Sequence, residues 1–486
     1  MDWKFKILKR LDKSKNIKSE QKLFILFLLG FFSTLFITNN KFYILLFLLF
    51  GAILFFYLKK SLFETVLLTL LLSLPFENTL REWIFYSSNN DPNGYSFFFG
   101  ITIKSILGLT LFILSCLNKN KTLIKSQNYS SKNNRYLLIF YLLALVTSSF
   151  FQSRLSTVAI GVIRLSLSIW LYFLASNYFS FKDQKNIFKY YVLSLILFSS
   201  FIGLLQLIKQ KPLGKFIELT PGFSTETGYS TTDGEKQYRV SGFISHPVYF
   251  GSFMSIVIPI SIAFLIKSKN KISKIIYLLI IITSIIVLLA TLSRSTWINL
   301  ATIISFFYFY IKKNNQFSSP FKISPRIKNI LFFLAFLSII SITPIILTRI
   351  KSIPDLFNNK DGSLYSRLSL LNTSIKMIKL KPFTGIGLNN FSFENYNQNS
   401  ANFAAPPHNT IFIFLSELGI PTTIFFIIFI SLSLKPKKSI FKKEIISFGV
   451  WVGLLTFIVS SQFHPLFNLD PTFDLFMLIL GYYSTC

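Results

Sequence analysis

Apolar stretches alternate with short polar ones along almost the whole chain from Leu23 to Tyr483. A helix needs about 17 to 25 predominantly apolar residues to cross a bilayer. Fourteen stretches approach or reach that length, at 23–38, 42–58, 62–76, 97–117, 136–151, 157–179, 190–208, 247–266, 275–292, 296–311, 330–347, 410–434, 445–461 and 472–483. Two of them, 62–76 and 472–483, are short enough to be tilted or re-entrant. The pattern predicts an all-α polytopic membrane protein of about 12–14 transmembrane helices.

Charge then orients the pattern. The tail at 1–22 and the loops on its side of the membrane carry the larger part of the 50 lysines and arginines. Positive charge collects in cytoplasmic loops, so both termini are expected in the cytoplasm. The formal charge of +31 would suggest nucleic acid in a soluble protein. Its bias towards one side of a membrane chain removes that reading, and no nucleic-acid partner is expected. Residues 1–22 lack the apolar core of a cleavable signal and read as a retained tail. Cys116 and Cys486 both fall on the expected cytoplasmic side, which argues against a disulfide or a cysteine zinc site.

The predicted organisation is a basic tail (1–22), N-terminal helices (23–208), a first large external loop (209–246), central helices (247–348), a second large loop (349–408) and C-terminal helices (409–486). A long polar loop within a compact membrane protein is disordered or functional. The second loop holds Leu364, Leu368, Leu371, Ile375 and Ile378 at helical spacing, as expected of an amphipathic helix on the membrane surface with Arg367 in its first turn. It also holds Gly385 and Gly387 in a turn, and ends at Pro406-Pro407-His408-Asn409.

Asn409 is placed to cap the helix that begins at Thr410, where exposed N–H groups favour an anion. His408 beside it has the chemistry of a general base, although a histidine at a helix mouth is more often a cap or a hydrogen-bond donor. Glu417, two turns deeper, is an intramembrane acid that needs a partner. Lys104, Arg164, Arg239, Arg294 and Arg367 all fall near the external side, where His246 and His464 also lie. A basic residue near a membrane surface is ordinarily an anchor. Five around one surface also suit a pocket for a phosphate or pyrophosphate carried by a lipid. No Asp-x-Asp motif and no histidine spacing typical of zinc is present, so neither a metal nor another cofactor is expected.

Four motifs occur in order: Arg239-Val-Ser-Gly with His246-Pro247; Leu292-Ser-Arg-Ser-Thr-Trp297; Ser366-Arg-Leu with Lys381-Pro-Phe-Thr-Gly-Ile-Gly387; and Pro407-His-Asn with Ser416-Glu-Leu-Gly419. Together they resemble the O-antigen ligase and O-antigen polymerase family of bacterial membrane glycosyltransferases, over about the C-terminal half of the chain. The resemblance implies a GT-C-like, all-helical, metal-independent enzyme of the bacterial inner membrane. Such an enzyme takes a glycan from an undecaprenyl-pyrophosphate carrier on the periplasmic face and passes it to a glycan, lipid A core or protein acceptor. By the same resemblance Arg294 and Arg367 hold the pyrophosphate and His408 activates the acceptor hydroxyl. Ser245-His246 departs from the Gly-Asn that many members carry before the proline, so binding roles extend to Arg239 and His246 by position alone. The competing expectation is a flippase or transporter for a lipid-linked or anionic sugar, whose mark would be charge at the midplane and internal repeats.

Overall fold

The computed structural model describes residues 21–36, 41–76, 103–117, 132–150, 155–180, 182–214, 229–232, 235–244, 246–313, 362–392, 394–395, 406–436, 444–468 and 472–486. Thirteen of the fourteen apolar stretches coincide with helices: α1 (Gln21–Phe36), α2 (Lys41–Ala52), α3 (Leu62–Ser73), α4 (Ile103–Leu117), α5 (Lys132–Phe150), α6 (Leu155–Tyr178), α7 (Lys182–Lys209), α8 (Pro247–Lys267), α9 (Lys271–Ala290), α10 (Arg294–Lys313), α12 (Thr410–Ser433), α13 (Ile445–Ser461) and α14 (Thr472–Ser484). The stretch 330–347 and most of the basic tail lie outside the described residues. α11 (Gly362–Leu380) is the helix expected in the second loop. The chain is an all-α polytopic membrane protein. One small departure is an antiparallel hairpin, β1 (Tyr229–Thr232) with β2 (Glu235–Tyr238), in the first large loop.

Among the described residues, α6, α7, α8, α9 and α12 are long and apolar enough to cross a membrane by length and composition alone. α8 is the hub, buried along nearly its whole length. α13 lies against it through Gly449 and Gly453, where an added Cβ would come within 2.6 Å of the Pro259 carbonyl oxygen and 2.4 Å of the Ile256 carbonyl oxygen. Small residues four apart let two membrane helices approach closely enough for dispersion to hold them. α3 and α14, the two short stretches, are about 18 to 20 Å long at the usual rise per residue. Both are buried by other helices. A short helix is tolerated there because protein, not lipid, surrounds its ends.

The abundant aromatics join these helices. Phe198 stacks on Phe31 at 5.5 Å and on Phe243 at 5.8 Å between centroids, linking α1 and α7 to the segment that follows the hairpin. Phe188 and Tyr482 stack between α7 and α14. Offset and edge contacts of this kind add to the area that the rings bury.

Candidate functional site

The segment after β2 runs Arg239-Val-Ser-Gly, and its backbone is fixed by a residue far upstream. Gln206, fully buried on α7, accepts hydrogen bonds from the Ser241 and Gly242 amides and donates to the Gly242 carbonyl. The Val240 amide donates to Ala290 at the end of α9. Arg239 Nε then donates to the Thr291 carbonyl, 3.1 Å away. Thr291 opens the turn that leads through Leu292, Ser293 and Arg294 into α10. Leu292 has φ 52°, which is unfavourable for a branched side chain. Its neighbours hold it there: the Thr296 amide and hydroxyl both donate to the Ser293 carbonyl, and the Ser293 and Ser295 hydroxyls are 2.9 Å apart. Arg239 is thus tied to the turn that carries Arg294.

Two helix mouths open beside it. His246 caps α8, its Nδ1 accepting from the Val248 amide, with its ring 4.9 Å from that of Tyr249. Asn409 caps α12 as expected: Oδ1 accepts from the Ile411 and Phe412 amides, and Nδ2 donates to the Gln462 carbonyl. His408 immediately precedes that cap. Its Nδ1 is buried and has no hydrogen-bond partner among the described residues, which leaves the imidazole capacity for a further group.

The three histidines converge. The His464 ring is perpendicular to that of His408 with centroids 5.9 Å apart, and it is 6.4 Å from the Tyr249 ring. Burial and the positive field of Arg367 push the His408 imidazole down to about 4. His246 falls to about 3 through burial, then Arg239, His408 and Arg367. Burial foremost, with Arg367 and the other histidines adding, also holds His464 well below the ordinary imidazole value. All three rings are neutral at neutral pH, and the charged groups acting on them are arginines. Such a field favours an incoming anion.

α11 supplies Arg367 from its second turn, one turn later than expected, because the helix begins at Gly362. The face it packs against the protein is Leu370, Thr373, Ser374 and Met377. The stripe expected to be its apolar face is left largely uncovered, with Leu368 50% and Ile375 36% exposed. That disposition fits a helix lying at a membrane surface.

A second group of the expected residues lies deeper. Glu417 is about 13 Å below His408 along α12 at the usual rise. α12 breaks just beyond it, where Gly419 adopts φ 78°. The turn at Pro382–Gly387 docks into the break: the Ile386 and Gly387 amides donate to the Ser416 and Glu417 carbonyls, and the Ile420 amide donates to the Pro382 carbonyl. Gly385 has φ 65°, and a Cβ there would come within 2.3 Å of the Glu417 carbonyl. The Glu417 carboxylate, 1% exposed, accepts from the Asn389 and Phe391 amides. The partners that the sequence requires for this acid therefore include two backbone amides of the loop. Arg164 lines a cavity of about 40 Å³ with Asn389, Glu417, Phe414 and Phe467, space for a water or two.

The structure thus brings Arg239, His246, Arg294, Arg367, His408 and Asn409 to one end of the bundle. Gly385, Gly387 and Glu417 form a brace beneath it, beside the small cavity that Arg164 lines. Lys104 is the second residue of α4, and its side chain lies outside the described set. Sequence reasoning left His464 and Gln206 without a role. The only signal for His464 was the grouping of all three histidines in external loops, and Gln206 gave none. Among the described residues, no group of three or more His, Cys, Asp or Glu is arranged to hold a metal ion.

No curated protein matches the chain. Residues 279–427 match the family model described as O-Antigen ligase. The matched stretch contains Arg294, Arg367, Gly385, Gly387, His408, Asn409 and Glu417 and leaves Arg239, His246 and His464 outside it.

Proposed function

From the O-antigen ligase domain that the chain carries at 279–427, we propose that this protein is a glycosyltransferase of surface polysaccharide assembly. The donor is a glycan on an undecaprenyl-pyrophosphate carrier, and the acceptor is a hydroxyl of another glycan, a lipid A core or a protein. The observation that carries this reading is the convergence of Arg367 on three buried, neutral imidazoles, with Arg239 acting on two of them, beside the turn of Arg294 and the capped mouth of α12.

In this scheme Arg294 and Arg367 hold the pyrophosphate, with Arg239 tied to the same turn. His408 takes the proton of the acceptor hydroxyl while its oxygen attacks the anomeric carbon. The bond from that carbon to the pyrophosphate oxygen breaks, and the carrier pyrophosphate leaves with the electron pair. A guanidinium offers paired hydrogen bonds to phosphate oxygens, so it stabilises the leaving charge as it develops. The scheme is metal-independent. The charge distribution of the loops supports a site on the periplasmic face of the inner membrane with both termini in the cytoplasm.

The test uses purified protein, a carrier-pyrophosphate glycan and candidate acceptors without added divalent metal. Release of carrier pyrophosphate that depends on one acceptor is expected. Arg367→Ala is expected to abolish transfer while membrane insertion is retained, and full activity in that variant would overturn the assignment. No turnover with any acceptor, together with carrier flipping in liposomes, would replace this reading with a flippase.

A further inference from the structure

His464 lies outside the matched domain, and the transfer scheme gives it no task. It is nonetheless 4% exposed, on the loop between α13 and α14, and its polar atoms are engaged on two sides. On one side its Nε2 is 3.0 Å from Ser295 Oγ, which is in turn 2.9 Å from Ser293 Oγ. The imidazole is therefore bonded to the pair of serines that flank Arg294. On the other side its carbonyl accepts from the Thr410 hydroxyl, and two residues earlier the Gln462 carbonyl accepts from Asn409. Those are the two residues that follow His408. One short loop is thus joined to the turn that carries Arg294 and to the cap that carries His408.

We infer that His464 is a positioning residue for glycan transfer: through Ser295 on one side and Thr410 on the other, it sets the spacing between Arg294 and His408. The inference rests on the transferase reading. In that reading Arg294 holds the leaving group and His408 the attacking hydroxyl, so the spacing between them is the spacing of the reacting atoms. Rates are steep in that distance, and a misplacement of about 1 Å costs about a hundredfold. His464 itself is too deeply engaged with Ser295 to serve as the base. A buried ring that only filled space would be replaced by phenylalanine without kinetic consequence.

The experiment compares full-length wild type with His464→Phe, His464→Gln, Ser295→Ala and the double variant His464→Phe/Ser295→Ala. Each is assayed for transfer kcat and donor KM and for thermal unfolding in detergent. His464→Phe and Ser295→Ala are expected to lower kcat about 10- to 100-fold with a much smaller change in donor KM. His464→Gln, whose amide nitrogen reaches Ser295, is expected to recover most of the rate. The double variant should be no slower than His464→Phe alone, because both changes remove one interaction. The acid limb of the pH profile should stay where wild type has it. Wild-type kcat in His464→Phe, multiplicative losses in the double variant, or no recovery by His464→Gln at an unchanged unfolding temperature would each overturn the positioning role and leave the transferase reading standing. If His464→Phe does not fold, His464→Gln and Ser295→Ala decide the matter by the same criteria. Absence of transfer by wild type with every acceptor would overturn both.

Discussion

At neutral pH the His408 imidazole is free of its second proton, because burial and Arg367 both oppose another positive charge nearby. In the proposed scheme the base of the free protein is lost only when the solution falls towards about 4, so the acid limb of kcat/KM should lie well below the ordinary imidazole value of about 6.5. A bound pyrophosphate supplies the opposite field and stabilises the imidazolium, so the acid limb of kcat should lie at higher pH than that of kcat/KM. Rate profiles from pH 4 to 8, at saturating and at limiting donor, measure both. An acid limb of kcat/KM at or above the ordinary imidazole value would remove His408 from the role of base. Gln206→Leu keeps the volume but leaves two amides and a carbonyl of Ser241 and Gly242 without it. Each buried group so stranded costs about 1 to 3 kcal/mol. The variant should unfold at a lower temperature and, where it folds, show a raised donor KM through displacement of Arg239.

α12 and the turn that docks into it are the element on which the lower part of the site depends. The helix loses its own hydrogen bonds at Ser416, Glu417 and Ile420, and the Pro382–Gly387 turn supplies replacements. The Glu417 carboxylate secures the next stretch of that loop by accepting two amides. Glu417→Gln turns an acceptor of both into one acceptor and an NH2 that faces an N–H. A loss of about 1 to 3 kcal/mol is expected, read as a lower unfolding temperature with reduced transfer. Unchanged stability would show that the carboxylate is not needed as a brace. The sequence exposed part of this arrangement. Gly385, Gly387, Glu417 and Gly419 stood out as a glycine turn and an acid beside a helix breaker, but nothing along the chain paired them across about thirty residues. α11 shows a different limit. Periodicity found its apolar stripe at Leu368 and Ile375, yet the helix packs inward through Leu370 and Met377. Periodicity identifies an apolar face and is silent on whether protein or lipid covers it.

At the scale of the whole molecule, the helices were legible because each is local: thirteen apolar stretches became helices, and the two short ones remained short. The site was legible only as separate pieces. It is assembled from the segment after β2, the α9–α10 turn, α11, the mouth of α12 and the α13–α14 loop, and the bond between Ser295 and His464 spans 169 residues. Residue type marked Arg294, Arg367 and His408, since charge and imidazole are costly near a membrane and stand out against it. Gln206 and His464 act through backbone and hydroxyl groups, which leave no pattern in one sequence. The break in α12 also bears on biogenesis. Pro421 has no N–H to offer the Glu417 carbonyl, so without the docked turn α12 would enter the bilayer with that carbonyl unsatisfied, at a cost of several kcal/mol in hydrocarbon. The docking turn precedes α12 in the chain, so it has already been synthesised when α12 is released. A chain whose turn is missing would therefore present α12 to the insertion machinery as a poorer membrane segment.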